Sequence, residues 1–175
     1  GYESSRYTKD IDFSTDQNPA EFDHEKFKKT FGESLARSTD SMGYSTSCQI
    51  QSYKQDPPGN NVTAPTIKMT IGYADRNNPK ALRRLVAGNS SHVVEVDYSL
   101  NEPPGWPVML ELDGNKSIRS YSFPDLAAEK FRALLQQEMR KRSRRQDIYD
   151  LYFLLKNIPD AKISSVKETI LKGLI

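Results

Sequence analysis

Asp10 and Asp12 stand two residues apart in Lys9-Asp10-Ile11-Asp12-Phe13, and Glu95 and Asp97 repeat that spacing between Val94 and Tyr98. Residues two apart on a strand share a face, roughly 6.6 Å apart along the chain. Ile11 and Phe13 then turn towards a core. Val94, Val96, Tyr98 and Leu100 do the same on the second segment, leaving Glu95, Asp97 and Ser99 on the other side. Carboxylates so arranged can converge on divalent metal ions, and Mg²⁺ prefers such hard oxygen ligands. Asp97 reaches the place of Asp10 and Asp12 only if the two strands are neighbours. The solvated side of two ordinary strands carries the same pattern.

The cations are placed less evenly than the net charge of +2 suggests, because residues 140–145 read Arg-Lys-Arg-Ser-Arg-Arg. Clustered guanidinium groups suit phosphate geometry, so Arg140, Lys141, Arg142, Arg144 and Arg145 are candidates for RNA contact; a solvated helix end gives the same run. Lys130 lies within an apolar helical stripe of Ala127, Phe131 and Leu134. There it must snorkel to water, meet a negative partner or touch the phosphates of a ligand. Asp147 and Asp150, three apart, border a second stripe of Ile148, Leu151, Tyr152 and Leu155. Asp147 can also cap that helix. A continuous helix would hold Lys130 and Arg144 about 21 Å apart, so for both to serve one site the chain must turn near Ser143.

The elements that must carry these residues read as strands first and helices last. Strands are expected at 9–13, 46–54, 66–74, 92–100, 107–112 and 117–123, and helices at about 20–37 and 79–87. Asp113-Gly114 is the turn signal between the last two strands. From Pro124 the period is helical to Ile175. The Pro-rich stretch Glu102-Pro103-Pro104-Gly105 reads as a loop, not a domain linker. The expectation is an α+β chain with a mostly antiparallel or mixed sheet at residues 1–123 and a C-terminal helical region, a bundle, at 124–175.

Composition narrows the function classes. At 175 residues and 36% hydrophobic content, with nine Tyr, seven Phe and one Trp, a core can be built. No apolar run approaches the roughly 20 residues of a membrane span. One cysteine, Cys48, excludes a disulfide framework or a CxxC motif, and two histidines leave zinc chemistry short of ligands. His24 reads as a surface residue. Asn61-Val-Thr63 and Asn89-Ser-Ser91 match glycosylation acceptors, but the polar, charged opening is no signal peptide and a reducing cytoplasm is expected.

Four segments, in order, resemble a known family. Arg6-Tyr7-Thr8-Lys9-Asp10-Ile11-Asp12-Phe13-Ser14 is similar to the R-x-S/T-x-D-I-D-F segment of the AbiEii-type nucleotidyltransferase toxins. Val94–Glu102 resembles their third-carboxylate strand, Phe123–Leu135 around Ala128-Glu129-Lys130 their A-E-K-L-x-A-L helix, and Arg144-Arg145-Gln146-Asp147-Ile148-Tyr149-Asp150-Leu151 their R-x-K/R-D-L-Y-D-L signature. The resemblance implies a DNA-polymerase-β-like nucleotidyltransferase core with flanking helices, then a helical domain. It implies two Mg²⁺ ions at Asp10, Asp12 and Asp97, nucleotide phosphates near Arg6, Thr8, Lys130, Arg144 and Arg145, and Asp147 beside the active site.

Family members transfer nucleotides from a nucleoside triphosphate, in some cases to tRNA ends, as the toxin half of bacterial toxin–antitoxin or phage-defence pairs. A cognate antitoxin, a nucleoside triphosphate, and tRNA or another RNA are therefore the expected partners, with no membrane. Transfer to a protein hydroxyl is a third reading that the sequence leaves open. The family's Gly-Gly or Gly-Ser motif precedes its Arg-x-Thr segment, and Gly1 stands too close to Asp10 to leave room for it. The expectation there is a fragment of a longer product or a core lacking half of its phosphate site. Gln146 stands where the family has a basic residue. The competing expectation is a catalytically incomplete binding module for an antitoxin or RNA.

Overall fold

The computed structural model describes residues 10–103, 107–112, 116–137, 145–156 and 163–172. Its contacts divide the chain into two compact units, Gly1–Pro103 and Pro104–Ile175. The division falls inside the Pro-rich stretch 102–105. It accords with strand pairing: among the described residues the last two strands bond to each other as a separate two-stranded sheet.

In the first unit, β1 (Asp10–Ser14), β2 (Thr46–Asp56), β3 (Thr66–Asp75) and β4 (Val93–Ser99) form one sheet in the order β1-β4-β3-β2. β1 runs parallel to β4 and the other pairs are antiparallel, so the sheet is mixed as expected. Its apolar face carries Ile67, Met69 and Ile71 of β3 and Val96 of β4, all buried, and Leu100 just beyond β4 is fully buried with them. That face is covered by α1 (His24–Ser41), whose Phe27, Phe31 and Leu35 recur every four residues and pack against this core. Asp23 starts α1 by accepting the Lys26 backbone N–H at 2.9 Å, and a single 3₁₀ turn at Pro19–Glu21 leads into it, delivering the buried Phe22.

α2 (Pro79–Val86) lies over one end of the sheet's other face. Asn78 caps it through the Ala81 N–H at 3.1 Å. Gln51, the extra residue of a bulge in β2, donates to the Leu85 carbonyl at 3.0 Å and accepts from the Ser90 N–H at 3.0 Å. Gly72 leaves room for this arrangement, because a Cβ there would lie 2.7 Å from the Gln51 side chain and 2.8 Å from the Ser90 Cβ.

In the second unit, β5 (Val108–Leu112) pairs antiparallel with β6 (Lys116–Ser120). The expected Asp113-Gly114 turn lies outside the described residues. α3 (Phe123–Leu135) packs against both α4 (Arg145–Lys156) and α5 (Ile163–Lys172). Ser122 and Asp125 form a reciprocal capping box at the start of α3. Among the described residues, Ala127 of α3 and Leu151 of α4 are buried together, with Phe123 and Leu134 beside them. The two expected stripes are only partly covered. Phe131 is 39% exposed, and Ile148, Tyr152 and Leu155 are each more than half exposed. Asp147 and Leu151 are the buried residues among those of α4 whose side chains are described, and Asp150, Phe153 and Leu154 are half-buried.

Replacing Gly72 with alanine should push Gln51 or Ser90 out of place and cost about 1–3 kcal/mol. The urea midpoint would read this, and an unchanged midpoint would contradict the close approach described.

Candidate functional site

The first unit builds a polar face from alternation and register alone. β1 pairs with β4 so that Asp10 stands opposite Glu95, Asp12 opposite Asp97 and Ser14 opposite Ser99. The strands expected to be neighbours are neighbours, and all four carboxylates lie on two adjacent strands, roughly 4.8 Å apart. The pairing continues past the strand ends, where the Thr15 N–H donates to the Ser99 carbonyl at 3.0 Å and the Glu102 N–H to the Thr15 carbonyl at 2.8 Å. These bonds fix the register, and a slip by one residue would exchange the side of Asp12 with that of Ile11. The turn of Ile11 and Phe13 towards a core is not realised, since on this edge strand Ile11 is 44% and Phe13 36% exposed.

The same rows cross to the other two strands. Asp97 stands opposite Lys68 of β3, and Lys68 opposite Lys54 of β2; Glu95 stands opposite Thr70, which meets Ser52. Cross-strand hydrogen bonds confirm that these side chains share a side: Ser52 Oγ donates to Thr70 Oγ1 at 2.9 Å, and Thr66 Oγ1 and Ser99 Oγ are 3.1 Å apart. Lys68 Nζ reaches diagonally to Asp56 at 2.8 Å. Every residue of these rows is at least partly exposed, whereas Ile67, Met69, Ile71 and Val96 on the opposite face are buried. Lys54 and Lys68 escaped the sequence reading because a lone lysine on a strand is unremarkable until the register sets it beside Asp97.

Hard carboxylate oxygens on a solvent-reached face are the donor chemistry that Mg²⁺ takes, so these residues fit the ion by type. Among the described residues no three Asp, Glu, His or Cys side chains are already gathered around one point. The fold fixes the backbone positions of the carboxylates.

The second unit holds the other candidate group. Lys130 Nζ donates to Asp147 Oδ1 at 3.0 Å and lies 3.2 Å from Asp150 Oδ2. α3 and α4 thus bring together residues 17 apart in the chain, and of the readings open to Lys130 the negative partner is the one realised. Asp150 was noted only as a border residue, although its i, i+3 spacing from Asp147 was the available signal. The Lys130 side chain keeps 34% exposure and Asp147 only 5%. Burial alone would pull the Lys130 ammonium down. Its hydrogen bonds to Asp147 and Asp150 and their negative charges overcome that, and its pKa is raised above 10.5.

Arg6, Thr8, Arg140, Lys141, Arg142 and Arg144 lie outside the described residues, and Arg145 is described only as the first residue of α4. His24, expected at the surface, is half-buried, with Nδ1 2.9 Å from the Tyr53 hydroxyl and its ring edge-on to Phe22. Burial, aided by Glu25, pushes the Tyr53 phenol up to about 12. Among the described residues no helix is long and apolar enough to cross a membrane.

At neutral pH, Asp147→Asn should destabilise the second unit by about 1–2 kcal/mol, between the value of an exposed ion pair and that of a buried one. A lysine whose folded pKa exceeds its unfolded value contributes fully below the unfolded value and loses that contribution as pH climbs through the raised one. The difference between wild type and variant in chemical denaturation should therefore persist from about pH 6 to 9 and shrink only as the pH climbs through the raised lysine pKa, above the ordinary lysine range. A difference independent of pH would contradict the pairing.

The chain finds no match among curated proteins or among solved structures. A family model does match, over residues 1–172, and its description is "Nucleotidyl transferase AbiEii toxin, Type IV TA system". That span takes in both the carboxylate face and the Lys130 group. The chain belongs to the AbiEii family of nucleotidyl transferase toxins of type IV toxin–antitoxin systems.

Proposed function

We propose that this chain is a Mg²⁺-dependent nucleotidyltransferase. It moves a nucleoside monophosphate from a nucleoside triphosphate to a hydroxyl of RNA, with tRNA the first candidate, or of a protein. It acts in the bacterial cytoplasm as the toxin of a toxin–antitoxin or phage-defence pair, held in check by a cognate antitoxin. The observation that carries the reading is the register of β1 on β4, which sets Asp12 directly opposite Asp97 with Asp10 and Glu95 one row away.

Asp10, Asp12 and Asp97 would hold the metal ions, whose charge would acidify the attacking hydroxyl and offset charge on the leaving pyrophosphate. This chain's residues supply the rest. The hydroxyl oxygen bonds to the α-phosphorus as the bond to pyrophosphate breaks, and the hydroxyl proton passes to Asp97 or Glu95 on the same face. The family resemblance assigns Lys130, held by Asp147 and Asp150, to phosphate contact as a point charge. Arg6, Thr8 and the basic run 140–145 extend phosphate and RNA contact, which makes acceptor affinity salt-dependent.

A second reading is favoured by one feature: Lys130 Nζ is already held by two carboxylates, as in a structural ion pair. On that reading the chain is a catalytically incomplete module that binds RNA or an antitoxin. Incubation with each α-labelled nucleoside triphosphate, Mg²⁺, pooled tRNA and cell extract separates the two. Label should pass to RNA or protein, and the Asp10→Asn/Asp12→Asn variant should lose about 100-fold or more, since the charge stabilisation removed is several kcal/mol. Label transfer equal in the double variant would refute the carboxylate assignment. RNA binding that ignores Mg²⁺, with no transfer at all, would put the binding module in its place.

A further inference from the structure

The polar sheet face is sorted by charge. Its central row runs Asp12, Asp97, Lys68, Lys54 across β1, β4, β3 and β2. The row beside it begins Asp10, Glu95. Like charges directly opposite one another on adjacent strands destabilise a sheet, and alternating them would relieve the repulsion. Here acids face acids on β1 and β4, and lysine faces lysine on β3 and β2, with one opposite-charge step between Asp97 and Lys68. Asp56 relieves part of the basic side by its 2.8 Å pair with Lys68, on the edge away from Asp97. Lys54 and Lys68 both remain in contact with solvent, while α2 covers only the end of the face beyond them. A polyanion with bound cations complements this arrangement, since its metal side would meet the acids and its anionic side the lysines.

The geometry points to Lys68 and Lys54 as the residues that take substrate phosphate groups beside the carboxylates. This rests on the carboxylate reading given above and adds the lysine strands to it. Adjacent strands lie roughly 4.8 Å apart, so lysine side chains on β3 and β2 cover the phosphates that extend from a point near Asp97. On binding, Lys68 exchanges its Asp56 partner for phosphate. The phosphates belong either to the donor triphosphate or to the acceptor backbone.

Two equilibrium probes of the whole chain decide this without turnover. One is titration with inorganic tripolyphosphate in Mg²⁺, and the other is anisotropy of a labelled single-stranded RNA. The Lys54→Gln/Lys68→Gln variant should weaken one of them by about tenfold. Lys54→Arg/Lys68→Arg and the remote pair Lys26→Gln/Lys29→Gln on α1 should both stay within about threefold of wild type. Weakened tripolyphosphate binding assigns the lysines to the donor. Weakened RNA binding, with the salt slope reduced by about 1.4, assigns them to the acceptor. Circular dichroism checks that each variant is folded. The inference is overturned if both probes stay within threefold in the glutamine variant, if the remote pair weakens them equally, or if neither probe binds wild type. A chain that binds phosphate through these lysines yet transfers no label keeps this inference and refutes the transferase.

Discussion

The parallel register of β1 on β4 is the constraint on which the rest depends. A period of two puts Ile11 and Phe13 on one side and Asp10 and Asp12 on the other, and β4 repeats the pattern with Val96 buried and Asp97 half-exposed. Burial of Val96, Met69 and Ile67 against α1 therefore also decides where the carboxylates face. The hydrophobic side positions the chemical side, since a slip of one residue would exchange the two. Such coupling lets a short edge strand carry functional groups without a dedicated scaffold.

The two units are held by different kinds of interaction. In the first, an extensive apolar layer, with Ile67 and Leu100 fully buried, supports an open polar face. In the second, among the described residues, Ala127 and Leu151 are buried between α3 and α4, and Lys130 of α3 pairs with Asp147 and Asp150 of α4. The half-buried ion pair therefore takes part in fixing the angle of α4 on α3. The same three side chains are therefore candidates for chemistry and supports of the helix pair, and a substitution there is informative only when stability and function are read together.

Much of this was legible in the sequence. The strands and α1 fell close to their expected places because their apolar alternation and caps are local signals. That Asp10 shares a face with Asp12, and Glu95 with Asp97, followed from the period; that the two pairs meet depended on β1 lying beside β4, which the period does not give. The Lys68–Lys54 pair was not legible, since it exists only through the order β4-β3-β2, a long-range pairing that no local pattern encodes. The α4 stripe misled for a related reason: Ile148, Leu151, Tyr152 and Leu155 have helical spacing, but only Leu151 finds a partner on α3.

The central claim is that Asp12 and Asp97, brought together by strand register, form one metal-binding face. Electron paramagnetic resonance of Mn²⁺ in the presence of a non-hydrolysable nucleoside triphosphate tests it most directly, comparing wild type with Asp12→Asn, Asp97→Asn and Lys130→Gln. The account predicts that either asparagine variant releases bound Mn²⁺ to the same extent, because both ligands serve one site, and that Lys130→Gln leaves the Mn²⁺ signal bound. Retention of Mn²⁺ by Asp97→Asn at wild-type affinity would contradict it.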